Sequence, residues 1–480
     1  MTRNPTSTSR PAGVLLDLPL LLDGSRTSQP SRVHAALRAA ILDGRLSPGL
    51  RLPSSRSLAA QLGVQRNAVV VAYEQLLSDG LAEARMGSGT FVATQVPAGP
   101  TTREAVIALP PPEPPIPFTL GRTHPDPTLV RGLAKATLRH LVRGDPAYFG
   151  YGDPRGSERL RGELARYLAA ARGIDCDPAQ IMVTGGTQQA LRFVAGVLLS
   201  PGDPVWIEDP CYPVARRILE AVNARLVPVP VDGSGLDVAE GQRREPRARL
   251  AYVTPSHQFP TGVVLRMERR VALLDWARKT GAWILEDDYD SEFRYTGQPL
   301  TALAGMDHHG RVIYFGTFSK SLLAGLRMGF AVLPPRLLPE MVAARAAFDR
   351  FPGGPFADAV ADLLADGSFS AHVRRMRGRY RAARDLVATT LMAASDGWLR
   401  VVVPDGGLHL LATLPDGLPG DAARVIRTRA GVSARLLSET RIGTSGTEAF
   451  LLGISGYAPA DLEEAAKRLG LAVRDYCQAR

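Results

Sequence analysis

Two residue types are scarce in this 480-residue chain. Cysteine occurs only at Cys176, Cys211 and Cys477, far apart and with no CxxC pair. That pattern excludes a disulfide framework or a cysteine zinc site as the organising principle, and a reducing, cytoplasmic compartment is expected. Of the 57 basic residues, four are lysine: Lys135, Lys279, Lys320 and Lys467. The rest are arginine, which stays protonated and cannot form an imine, whereas a desolvated lysine can. Any lysine chemistry must therefore use one of those four positions. No run of 18 apolar residues occurs, so no membrane span is expected. The apolar stretch Val14 to Leu22 is broken by Asp17 and Pro19, and no signal peptide is read there.

What is present is ordinary globular composition, 45% apolar and 22% charged. The length suggests about three domains. A net charge of +10 favours a polyanionic partner such as nucleic acid. Residues 27–95 carry short helical patterns. Residues 96–117, VPAGPTTREAVIALPPPEPPIP, hold too many prolines for packed helix or sheet and read as a linker, stiff over its PPPEPPIP part. Residues 118–480 alternate strand and helix patterns, which points to an α/β domain, with a smaller α+β subdomain expected from about residue 335.

In the first zone Val33, Leu37, Ala40 and Ile41 recur at helical spacing, predicting a helix over 31–43. Ser54 or Ser55 caps a second, short helix through Leu62, Gly63 ends it, and Gln65 to Leu77 form a third. ARMGSGTFV then reads as a hairpin with Gly87-Ser88-Gly89 at its tip. Two helices joined by a tight turn and followed by a hairpin make a winged helix-turn-helix. The words LPSSRSLAAQLGVQRNAVVVAYEQLLSDGL and GSGTFV resemble the DNA-binding domain of GntR-type bacterial regulators. That resemblance implies a double-stranded DNA operator as partner. Gln65, Arg66 and Asn67 would open the recognition helix, Arg56 would meet phosphate, and Arg85, Ser88, Gly89 and Thr90 would place the wing. The chemistry agrees, since guanidinium pairs with guanine edges or phosphate and Gly-rich tips offer backbone amides.

In the large zone Lys320 follows an apolar strand, Val312 to Phe315, and a small polar loop. Desolvation there frees its amine, as imine formation with an aldehyde cofactor requires. The other three lysines lie in charged helical contexts. Thr317, Ser319 and Arg327 flank Lys320 and can grip a phosphate. TGGTQQAL reads as a strand-to-helix turn whose exposed amides suit an anion. Asp287, ending the apolar strand of WILEDDYD, can pair with a protonated pyridine nitrogen, although EDDYD alone also suits a magnesium site or a solvated acidic loop. Tyr212 of DPCYP offers an aromatic platform.

The words YGDPRGSERLRGELARYL, TGGTQQAL, DPCYP, PSHQFPTG, EDDYDSEFRY and GTFSKSLLAGLRMGF, in this order, resemble the fold-type I aminotransferases. The resemblance implies pyridoxal 5'-phosphate (PLP) as cofactor, with Lys320 as its imine-forming lysine. Asp287 would meet the ring nitrogen, Tyr289 the phenolic oxygen and Tyr212 the ring face. Gly186, Thr187, Gln188, Thr317, Ser319 and Arg327 would hold the phosphate. The fusion as a whole is similar to the MocR family, in which a GntR-type domain precedes an aminotransferase-like sensing domain. Such proteins are transcription regulators rather than enzymes, and form head-to-tail homodimers.

Two departures bear on the signal. Phe259 stands where aminotransferases carry an asparagine bonded to the phenolic oxygen, so Tyr289 must act alone or with His257 or Gln258. Leu451, in FLLGISGY, stands where relatives carry an arginine that clamps a substrate carboxylate, and His409 is a weak substitute. A pocket lacking that guanidinium argues against an ordinary amino acid as ligand. The expectation is a PdxR-type regulator that senses PLP itself and controls vitamin B6 biosynthesis genes. The alternatives are a response to an amine or amino acid through an imine with the cofactor, or a working aminotransferase with an accessory DNA-binding domain.

Overall fold

The computed structural model describes residues 27–95, 116–298, 300–349, 354–443 and 446–479. The expected linker therefore lies outside the described residues except for Ile116 and Pro117. The chain divides into two compact units between Pro112 and Glu113.

In the first unit, helices run Gln29–Leu42, Ser55–Leu62 and Arg66–Ser78, followed by the antiparallel strands Ala82–Arg85 and Gly89–Val92. Val33, Leu37, Ala40 and Ile41 do form the buried stripe of the first helix. They pack with Leu58, Val69, Ala72, Tyr73 and Leu76, and Val92 of the hairpin closes the same core. The Ser54 side chain accepts from the Ser57 amide at 3.1 Å, satisfying a donor that the short helix leaves free. Gly63 ends that helix at φ 64°, a left-handed conformation that costs glycine least. The buried Tyr73 hydroxyl donates to the Pro53 carbonyl at 2.7 Å and ties the third helix to the turn before the second.

The second unit is built on an eight-stranded sheet. In spatial order the strands are Ile181–Thr184, Gly329–Val332, Val312–Thr317, Trp283–Asp288, Leu250–Val253, Pro204–Asp209, Arg225–Asp232 and Gly235–Leu236. The five strands from Val312–Thr317 to Arg225–Asp232 are parallel to their neighbours. Gly329–Val332 runs against both its neighbours. Three central strands are buried along their whole length, as a sheet covered by helices on both faces requires. In such sheets ligands bind beyond the carboxyl ends of the strands. Thr184, Asp209, Asp287 and Thr317 all lie at those ends.

A smaller antiparallel sheet, ordered Arg400–Val402, His409–Thr413, Ala449–Gly453 and Arg435–Leu436, packs one face on the helices Ser368–Ala394, Ala422–Ala430 and Pro459–Gln478. The expected start of a small subdomain near residue 335 needs correction. Leu337 and Met341 belong to the core under the large sheet, as does the helix Gly354–Ala365. The boundary falls inside the 27-residue helix Ser368–Ala394. Its Phe369 and Val373 pack with the large sheet, whereas Val387, Ala388 and Leu391 pack with the small one. Phe118, far earlier in sequence, is also buried in the small core and bridges Gly453.

Candidate functional site

On the first unit, Arg56, Gln65, Arg66, Asn67, Arg85, Ser88 and Gly89 are exposed and Thr90 is half-buried. Gln65 sits at the N-cap of Arg66–Ser78 without a side-chain cap bond, so its amide group remains available. The Arg66 Nε donates to Ser55 Oγ at 3.3 Å, which links the start of the third helix to the second. Arg85 lies over the Phe91 ring, 4.5 Å from its centre. One basic residue escaped the sequence reading. Exposed Arg51 bridges Phe91 through its backbone, and its guanidinium comes so near Gly89 that a Cβ there would sit 3.4 Å from Nε. Nothing local in the RLP word signals this wing contact, which arises from strand pairing.

On the second unit, Thr187, Gln188, Tyr212, Asp287, Tyr289, Thr317, Ser319, Lys320 and Arg327 all line one cavity of about 270 Å³. Gly186 adjoins it. Its φ of 107° suits glycine, and the Arg327 guanidinium lies beside it. Arg327 itself has φ 49°, an uncommon conformation for a bulky residue and one often met at binding sites. The cavity also contains Leu120, Gly121, Phe259, His409 and Arg435.

Lys320 donates from Nζ to the Gly121 carbonyl at 3.3 Å. Burial lowers its pKa; Asp290 and Asp287 work against that, and Arg327 adds to it. The Asp287 carboxyl is pushed up to about 7, chiefly by burial, although the Tyr252 hydroxyl donates to Oδ2 at 2.5 Å. Its second oxygen, Oδ1, is buried without a partner in the protein, and so is Thr187 Oγ1. A buried unpaired carboxylate oxygen is costly and calls for a donor or cation. EDDYD is not a solvated loop, since its four carboxylates are buried. Glu286 accepts from the amides of Leu303 and Ala304, each at 2.9 Å, and Asp288 pairs with Arg172 at 2.7 Å.

Tyr289 is linked to a buried pair. His257 Nδ1 lies 3.0 Å from both the Tyr289 hydroxyl and Asp290 Oδ2. A carboxylate oxygen accepts, so Nδ1 carries the proton and the tyrosine oxygen shares it. That leaves the Tyr289 O–H free to donate elsewhere. Gln258 is occupied by Glu208 and the Pro210 carbonyl, so of the two helpers expected for Tyr289 it is His257 that makes contact. Phe259 packs edge-on to Tyr212, ring centres 5.6 Å apart, as an apolar wall.

The position held by Leu451 has a guanidinium beside it. Leu451 is fully buried, but Arg435, its direct partner on the neighbouring strand, lines the cavity. His409 is not a substitute cation. Burial, then His257, lowers its pKa to about 4, and its Nε2 lies 3.0 Å from the Pro260 carbonyl, to which it donates. The sequence offered no cue for Arg435, because its place depends on a register between strands.

Comparison with known proteins decides the family. Residues 29–92 match the bacterial regulatory proteins of the gntR family, and residues 122–469 match aminotransferase class I and II. The probable rhizopine catabolism regulatory protein MocR of Rhizobium meliloti is 35% identical, over 90% of this chain and 91% of that protein. This chain belongs to the MocR family. Another MocR-type relative, the pyridoxine biosynthesis transcriptional regulator PdxR of Corynebacterium glutamicum, is 33% identical over 92% of this chain and 96% of its own. Among solved structures, LysN, an α-aminoadipate aminotransferase from Thermus thermophilus complexed with N-(5'-phosphopyridoxyl)-L-leucine, is similar with a TM-score of 0.69 and 28% identity. The match covers 76% of this chain and 93% of that one. The aminotransferase-like domain takes PLP as cofactor, and the residues present fit it. The unpaired Asp287 Oδ1 suits a protonated ring nitrogen, and the unpaired Thr187 hydroxyl and helix Thr187–Leu198 N-terminus suit a phosphate. Among the described residues, no helix is long and apolar enough to cross a membrane.

Proposed function

We propose that this MocR-family regulator binds duplex DNA through its winged helix and responds to a small amine that enters the PLP cavity. The observation that carries this reading is a desolvated lysine amine, Lys320, in one cavity with Asp287, Tyr289, Arg327 and a further guanidinium. When bound, PLP supplies an electrophilic aldehyde carbon and an electron-accepting ring.

The chain's own groups divide the work. Arg327, Thr187, Thr317, Ser319 and the amides at Gly186, Thr187 and Gln188 hold the phosphate. Asp287 keeps the ring nitrogen protonated. Tyr289 donates to the phenolic oxygen, oriented by His257 and Asp290. Tyr212, its hydroxyl held by Gln188 Nε2 at 3.0 Å, presents its ring face. Lys320 Nζ would meet the cofactor's aldehyde carbon, where bound PLP would supply the electrophile for an amine. Arg66, Gln65 and Asn67 enter the major groove, while Arg56, Arg85 and the Ser88–Gly89–Thr90 tip meet the backbone. Regulation rather than turnover is the output, in a cytoplasmic head-to-tail homodimer.

A second reading keeps PLP itself as the signal. The likeness to PdxR favours it, and so does Leu451 where relatives carry the carboxylate-binding arginine; the presence of Arg435 in the cavity lining weighs against it. One experiment separates the two. Apo-protein is titrated with PLP and then with primary amines, followed by visible absorbance and by affinity for a duplex selected from a random library. The amine reading expects a PLP band that is absent in Lys320→Ala, and amine addition that alters both band and DNA affinity. A DNA response complete with PLP alone, with no amine changing the band, would replace it with PLP sensing.

A further inference from the structure

We infer that Arg51 is a phosphate contact of the winged helix, one arm of a two-arginine cradle on the outer face of the wing. The inference rests on the DNA-binding reading above. It adds a residue that lies outside both the recognition helix and the hairpin.

The wing has a third strand-like edge. Residues 50–52, from the turn between the first two helices, run along the other edge of strand Gly89–Val92. The Leu52 amide donates to the Thr90 carbonyl at 2.9 Å, and the Val92 amide donates to the Leu50 carbonyl at 2.8 Å. Arg51 stands opposite Phe91, which on its other side stands opposite Glu83. Directly paired residues share a face, and faces alternate along a strand. Leu52, Ala82 and Val92 belong to the helical core. Arg51, Phe91, Glu83, Gly89 and Arg85 therefore leave by the outer face.

On that face two guanidiniums frame a bare glycine. Arg51 reaches along the sheet toward Gly89, where a Cβ would sit 3.4 Å from its Nε and 3.6 Å from its Nη2. Arg85, paired with Gly89, reaches the other way and lies over the Phe91 ring, 4.5 Å from its centre. Gly89 is exposed and holds φ 111°, which favours a residue without a side chain. Nothing therefore covers the notch between the two cations.

Neither cation is neutralised by a close acid. Among the described residues, the Arg51 guanidinium has no hydrogen-bonded or ionic partner. Glu83 comes only within 3.8 Å of Arg85, and its Oε1 accepts from the Thr94 amide and hydroxyl at 3.3 and 3.4 Å. An exposed guanidinium without an acid beside it matches a phosphate by paired N–H donors and charge. The cradle adjoins the Ser88–Gly89–Thr90 tip, so the phosphate it meets belongs to the duplex that the tip meets. Such a contact positions the wing and reads no base.

The test uses full-length protein, a duplex selected from a random library and an unrelated duplex. Each neutralised phosphate adds a slope of about 0.9 to the salt dependence, which at about 0.1 M salt is roughly tenfold in affinity. Arg51→Gln should weaken binding to both duplexes by roughly that factor and make the slope shallower by about one. Arg51→Lys keeps the charge and should keep most of the slope. Uncharged methylphosphonate, placed at one phosphate after another, should weaken the wild type at a position where it no longer affects Arg51→Gln. Unchanged affinity and slope in Arg51→Gln overturn the inference. So does a loss as large in Arg51→Lys, with no methylphosphonate position coupled to Arg51, because a distorted wing gives that result. A loss confined to preference at one base pair assigns a base edge instead and overturns the phosphate role. If the wild type binds neither duplex, the DNA-binding reading itself falls, and this inference with it.

Discussion

The DNA-binding face and the cofactor cavity use arginine in opposite settings. Arg56, Arg66 and Arg85 are exposed, and their positions are fixed by helix and hairpin geometry within one short stretch of chain. The cavity instead gathers groups from strand ends spread between Gly121 and Arg435. Water screens the first set, so a contact that any of them makes with a polyanion adds a modest, salt-dependent share of affinity. Burial shifts two members of the second set, raising Asp287 to about 7 and lowering Lys320. Charge on the surface suits a repeated polyanion, whereas the buried Asp287 and Lys320 are held away from their ordinary protonation.

Asp287→Asn should give the largest departure from that contrast. PLP affinity should fall at least a hundredfold if Asp287, with its unpaired Oδ1, holds the ring nitrogen as proposed. Apo-protein should respond in the opposite sense. With its folded pKa about 7, above the ordinary value of 3.8, Asp287 binds more protons folded than unfolded between those limits. Its contribution to stability therefore falls as pH rises through that window. The asparagine variant loses that share of the pH dependence, and apo-protein at pH 8 should melt higher than wild type. Melting curves across pH 4 to 8 check this, and a lower melting temperature at pH 8 would contradict it.

Arg66→Ala tests the other region. Affinity for a selected duplex should fall by roughly 1–3 kcal/mol if Arg66 reads a base edge. PLP absorbance should not change. The salt dependence of binding separates the two roles of an arginine. A base-edge role predicts loss of preference at one position, whereas a phosphate role predicts a uniform weakening and a shallower slope.

The smallest effect is expected at the junction of Tyr289 with His257. Sharing the Nδ1 proton makes the Tyr289 hydroxyl a better donor. In His257→Gln the ionised phenolic oxygen of PLP should be less well stabilised. The pH at which the visible band changes should then rise by about one unit, equivalent to about 1.4 kcal/mol. An unmoved transition would show that His257 only fills space against Gly407, where a Cβ would come within 2.0 Å of its ring.

Much of the cavity was legible because its residues stand in short words just past strand ends. Asp287 closes an apolar strand, and Lys320 follows one after a two-residue loop, so strand periodicity alone locates them. The winged helix was legible for a similar reason: its stripe, cap and turn residues are local. The helix spans differed from expectation by one or two residues, where Pro30 joined the first turn and Gln65 became a cap rather than a helical residue.

The sequence by itself determined the two-part organisation, the winged helix, and the words that bring Lys320, Asp287, Thr317, Ser319 and Arg327 to one cavity. Each of those follows from local periodicity or from the chemistry of a contiguous word. Only the tertiary structure decided that Arg435 faces the cavity beside the arginine-free position Leu451, that His257 joins Asp290 to Tyr289, that Arg51 adjoins the wing, and that the long helix Ser368–Ala394 spans two cores. Those relations depend on strand register and packing between distant segments, and a change of one residue in register would turn Arg435 to the other face.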